Sequence, residues 1–148
     1  MMVASLLASK HDPLAEDYYG SAIKVDSSSI EAFYGRGLFR QEHGKPREAE
    51  VDYLAILYLD STNFNAWFNL GYLNLVHLQQ YETGIEHFEQ ALKIRPEAVD
   101  AWYNRGFCHE HLDQMEMAER CYRTALQLDP EYDLAAKGIS RVVDGDYR

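Results

Sequence analysis

Two cysteines, Cys108 and Cys121, are too few for a disulfide framework, and no apolar run approaches the roughly 20 residues that cross a bilayer. Basic residues are also scarce: 14 against 24 acidic ones leave a formal charge of -10, which argues against a broad nucleic-acid footprint. The early apolar run, residues 1–8, lacks a basic front and is short for a signal peptide. A cytoplasmic location is therefore the expectation, with no membrane contact by this segment. Recognisable catalytic groupings are missing as well. No serine sits in a nucleophile turn, no glycines form a phosphate-cradling loop, and His109 and His111 are two residues apart, which does not place them on one helix face. Neither an enzyme, a cofactor nor a metal site is expected, and the cysteines read as ordinary thiols on neighbouring helices.

What the chain does contain is a repeated pattern. The segments beginning at Ala32, Ala66 and Ala101 read Ala-Phe-Tyr-Gly-Arg-Gly, Ala-Trp-Phe-Asn-Leu-Gly and Ala-Trp-Tyr-Asn-Arg-Gly, at intervals of 34 and 35 residues. Each precedes a second set of markers: Ala49, Tyr53, Ile56 and Ser61; Gly84, Phe88, Ala91 and Pro96; Ala118, Tyr122, Ala125 and Pro130. Within the second sets, apolar residues recur at three and four, as on one face of a helix. Pro96 and Pro130 stand where the chain must leave that helix, because proline has no N–H and restricts its predecessor. Glycine inside a helix costs roughly 1 kcal/mol against alanine, so the recurrence of Gly37, Gly71 and Gly106 points to close helix contacts that offset it.

This pattern resembles the tetratricopeptide repeat, a helical hairpin with small and aromatic markers at a period near 34 residues. The resemblance implies an all-α fold, a right-handed solenoid of antiparallel helix pairs. Residues 1–148 then divide into a partial N-terminal hairpin (1–29), repeats at 30–63, 64–98 and 99–132, and a terminal helix with its tail (133–148). In the first of these, Asp12 is expected as N-cap with Pro13 in the first turn, and Ala15, Tyr19 and Ala22 as the inward face. In the last, Leu134, Ile139, Val142 and Val143 are expected to point inward and residues 144–148 to fray. The middle repeat carries one extra residue between Gly71 and Gly84, which the turn at 77–80 is expected to absorb.

The resemblance also implies a groove lined by the first helix of each hairpin. Its slots hold an aromatic stripe, Tyr34, Phe68, Tyr72, Tyr103 and Phe107, flanked by Asn69 and Asn104, with Lys137 and Arg141 on the terminal helix. Rings offer contact area at little entropic cost, and an asparagine amide both donates to and accepts from a peptide backbone. Some family members grip a terminal carboxylate through lysine and asparagine. Here the corresponding slots hold Tyr34, Phe68 and Tyr103, then Leu38, Tyr72 and Phe107, so that clamp is not expected. The expected function is a noncatalytic adaptor that binds a protein or an extended peptide. The alternative is a self-assembly or structural module, forming a homo-oligomer or part of a longer array. Arg36 and Arg105 replace apolar residues of the family pattern and are expected to be structural, their stems covering the helix pair while the guanidinium meets water or an acid.

Overall fold

The computed structural model describes residue 12 and residues 14–145, and every described element is helical. The helices are α1 (Leu14–Val25), α2 (Ile30–Glu42), α3 (Pro46–Leu59), α4 (Phe64–Leu73), continued by a π-helical turn π1 (Asn74–Leu78), α5 (Tyr81–Ile94), α6 (Val99–His111), α7 (Met115–Leu128) and α8 (Asp133–Asp144). None of these is long and apolar enough to cross a membrane. The chain forms two compact units, Met1–Ala66 and Trp67–Arg148.

In the first unit, Asp12 accepts the Leu14 amide at 2.9 Å, as expected of a residue that starts α1; Pro13, residues 1–11 and residues 146–148 lie outside the described residues. Ser29 caps α2 by accepting the Ala32 amide, and Pro46 occupies the first turn of α3, where its missing N–H costs little. Ala15, Tyr19 and Phe39 form one buried cluster. The α2–α3 contact is set by Gly37: a Cβ there would stand 2.8 Å from the Tyr53 ring. Below that contact lies Asp52, fully buried, which accepts from Arg36 Nη2 at 2.7 Å and from Arg40 Nη1 at 3.0 Å. Arg40 also meets Glu16 of α1 at 2.8 Å. The acid expected beside Arg36 is thus a buried carboxylate shared by two guanidinia.

The second unit repeats the glycine contact twice. A Cβ on Gly71 or Gly106 would stand 2.8 Å from Phe88 or Tyr122 respectively. Cys108 and Cys121, on the adjacent helices α6 and α7, are both buried and free. Burial pushes the Cys108 thiol up to about 12 and raises Cys121 as well, so neither is a ready thiolate at neutral pH. Arg105 reaches back from α6 to Glu89 of α5 at 2.6 Å.

Two expectations need correction. The extra residue is not confined to the turn at 77–80; it widens the helix itself into π1. The buried Asn74 side chain donates to the Leu70 carbonyl at 2.8 Å within this widened stretch, and Gln79 ends the helix in the left-handed region at φ 53°. In α8 the inward residues are Ala135 and Gly138, whereas Leu134 and Val143 are about half exposed and only Ile139 and Val142 pack partly. Gly138 approaches the Tyr122 ring so closely that a Cβ would stand 2.6 Å from it. That contact fixes which face of α8 turns inward.

Candidate functional site

Eight of the nine expected site residues, all but Tyr34, belong to the second unit. Tyr34 belongs to the first, 6.3 Å from the Tyr53 ring between centroids. In the second unit, α4 presents Phe68, Asn69 and Tyr72, α6 presents Tyr103, Asn104 and Phe107, and α8 carries Lys137 and Arg141. Phe68, Tyr72 and Phe107 are only partly buried and rest against a core of Leu75, Phe88, Leu92, Ala101 and Cys108. Phe68 meets Phe88 edge-on at 5.6 Å, so one side of each such ring is committed to the fold.

The rings on α6 form a continuous path. Tyr103 stacks with Phe107 at 6.0 Å, Phe107 meets His111 at 4.7 Å, and His111 stacks on Tyr81 at 4.5 Å with the planes nearly parallel. At its other edge Tyr103 meets Tyr132 at 5.8 Å. Tyr132, Tyr81 and His111 thereby extend the expected stripe. Tyr132 occupies the slot that in earlier repeats holds the helix caps Ser29 and Asn63, whose side-chain oxygens accept the Ala32 and Ala66 amides. Its phenol caps nothing and instead donates to Asp100 at 2.5 Å. A tyrosine in a capping slot is the sequence signal for that contact.

The two cations are already engaged. Arg141 donates to Glu110 through Nε at 2.7 Å and Nη2 at 2.9 Å, and its guanidinium lies 5.6 Å from the Phe107 ring centroid. Glu110 also accepts the Tyr122 phenol at 2.5 Å. Burial pushes the Glu110 carboxyl up, but the hydrogen bonds from Arg141 and Tyr122 outweigh it and hold the group below its usual range. Lys137 pairs with Asp133 one turn away, both exposed, which contributes little. Arg141 is therefore a bracket for Phe107 and Glu110, and its charge is matched before any ligand arrives.

The asparagines differ from both. Asn104 is half-buried beside Tyr103, and its amide makes no hydrogen bond to any described residue. The equivalent slot holds Asn69 in α4 but glycine in α2 and α8, at Gly35 and Gly138. There an aromatic ring of the preceding helix, Tyr19 or Tyr122, takes the space. The asparagine ladder consequently has two rungs because the outer two slots are filled by packing. Among the described residues no group of three or more His, Cys, Asp or Glu is arranged to hold a metal ion.

This architecture defines an all-α protein built of repeated helical hairpins, each closed by a glycine under an aromatic ring. Tetratricopeptide-repeat family profiles match residues 74–113 and 99–132, and the chain belongs to that family. A tetratricopeptide repeat-containing protein of Caenorhabditis elegans, trd-1, is 28% identical over 94 residues. That match covers 64% of this chain and 12% of the relative, so the chain spans about an eighth of its length. Among solved structures, MamA superimposes with a TM-score of 0.91 at 21% identity, over 98% of this chain and 85% of that one. The first such domain of Spaghetti (RPAP3), bound to the HSP90 peptide SRMEEVD, gives 0.75 at 20% identity, over 81% of this chain and 94% of that one. These likenesses establish the fold.

Proposed function

We propose that the chain is a protein-interaction module whose second unit receives an extended peptide along α4 and α6. The single observation that carries this reading is Asn104. A half-buried amide with no partner among the described residues, bordered by partly exposed rings, is costly unless something else supplies its hydrogen bonds. A peptide backbone supplies both a donor and an acceptor at that spacing. Phe68, Tyr72, Tyr103 and Phe107 would take up the apolar side chains on either side, with Tyr81, His111 and Tyr132 extending the surface.

The solved neighbour that holds an HSP90 peptide supports peptide binding by this fold. The chemistry here favours a different handle. Aromatic residues occupy the slots where a carboxylate-gripping lysine would stand, and both cations of α8 face acids of this chain. The partner is accordingly read along its length, through backbone and apolar side chains. Because the surface is aromatic and amide-bearing with no group placed for bond breaking, the role assigned is noncatalytic.

The test starts with peptides selected from a random displayed library on the folded chain, titrated by calorimetry. Asn104→Ala should weaken them at least about tenfold, roughly 1.4 kcal/mol, with unchanged circular dichroism. A Tyr72→Ala, Phe107→Ala double variant should do at least as much. Unchanged affinity in both folded variants would reject the assignment.

A further inference from the structure

The outer face of α3 differs from that of every other second-type helix in the chain. Val51, Leu54 and Tyr58 are 62%, 49% and 92% exposed, and with Arg47 they fall on one stripe within about 60° of arc. The same three slots hold Asp17, Gly20 and Lys24 in α1, Glu86, Glu89 and Lys93 in α5, and Arg120, Arg123 and Gln127 in α7. Three repeats therefore keep this face polar or bare, and one makes it apolar. A face used only for solubility would not need a valine, a leucine and a tyrosine in line.

We infer that this stripe is a self-association surface on which α3 packs against α3 of a second copy, antiparallel, about a two-fold axis at Leu54. The face is complementary to itself under that operation. Leu54 meets its own copy, and the small Val51 lies opposite the large Tyr58 of the partner subunit. Arg47, exposed at the start of α3, comes to the end of the partner helix, where unpaired carbonyls and an aspartate, Asp60, follow Leu59. Cation and negative helix end are thus brought together at both ends of the pair. Glu48 and Glu50 lie to either side of the stripe and leave its centre apolar. Three side chains from each copy bury less than the about 1,000 Å² of a stable interface, so the pair is a weak, concentration-dependent dimer. It uses none of the residues assigned to peptide binding.

Single-cysteine crosslinking of the 148-residue chain tests the geometry, because Cys108 and Cys121 are buried and do not compete. Under mild oxidation Leu54→Cys should link to itself. Val51→Cys and Tyr58→Cys should link to each other when mixed, well above either alone, while Glu86→Cys on α5 stays monomeric. In sedimentation velocity the unmodified chain should shift toward dimer with rising concentration, and Tyr58→Glu should raise the dissociation constant at least about tenfold. A chain that remains monomeric throughout overturns the proposal. So does a dimer indifferent to Tyr58→Glu, or a Leu54→Cys yield no greater than that of Glu86→Cys.

Discussion

The hairpins α2–α3 and α6–α7 meet the same packing demand with different polar partners. In each, a glycine lies under a tyrosine ring and the phenol donates to the residue four places after that glycine. Tyr53 donates to the neutral Gln41 at 3.1 Å, and Tyr122 to the charged Glu110 at 2.5 Å. Between them, α4 and α5 use Phe88, which has no hydroxyl, and the matching slot holds the buried Leu75. Donor and acceptor are present together or absent together, as expected where an unpaired buried polar group costs more than a hydrogen bond gains. The arginines diverge as well. Arg36 turns to Asp52 within its own hairpin, whereas Arg105 reaches back to Glu89. Apolar geometry is thus common to the hairpins, and the polar contacts are local solutions.

The largest effect should come from the contact that has no counterpart in the second unit. Asp52→Ala leaves Arg36 and Arg40, both partly open to solvent, without their shared acceptor. Since water reaches them, the loss should be about 2–3 kcal/mol, below the roughly 3–5 kcal/mol of a fully buried pair. Urea denaturation measures it, and hydrogen exchange should localise the loosening to residues 14–59. A loss under about 1 kcal/mol would mean that the acid is dispensable.

Next in size is a hydroxyl introduced where the chain has none. Phe88→Tyr puts a phenol beside Leu75 and should cost about 2 kcal/mol; pairing it with Leu75→Gln should recover part of that. Failure of the second change to help would break the paired-slot rule. The existing phenols should then rank by acceptor charge. Tyr122→Phe should lose about 1.5–2 kcal/mol and Tyr53→Phe about 1 kcal/mol or less, and a reversed order in thermal melts would contradict the assignment.

The smallest difference concerns pH. The folded Glu110 carboxyl is held below its ordinary value of 4.5, so its stabilising contribution is complete above that pH and fades as pH falls through the depressed folded value. Glu110→Gln should flatten the decline of the urea midpoint between about pH 5 and pH 3. Equal slopes in the two proteins would remove Glu110 from the acid response.

Much of the fold was legible because its signals are local and repeated. Gly37, Gly71 and Gly106 each precede an aromatic residue at nearly the same distance, and one such contact is enough to orient a hairpin. The site was legible as a set of slots, since position on a helix follows from periodicity. Its partners were not. Arg141 and Glu110 stand 31 residues apart on different helices, and nothing in either neighbourhood announces the pairing. Asp52 resembled any surface acid in a chain with 24 of them, and only its burial under two arginines distinguishes it. The inward face of α8 was misjudged for a related reason. Bulk suggested Leu134 and Val143, while the ring of Tyr122 demanded the smallest residue available, Gly138.

The π-turn at Asn74–Leu78 gives the chain something like a reading-frame correction. A residue inserted into an ordinary helix rotates everything after it by about 100°, which would turn Phe88, Ala91 and Leu92 away from their neighbours. Here the surplus is confined to one wide turn, sealed by Asn74 from within and closed by Gln79, and α5 resumes in phase. Change in length is thereby separated from change in meaning: a repeat of this kind tolerates an insertion at the end of its first helix without rewriting the helices that follow.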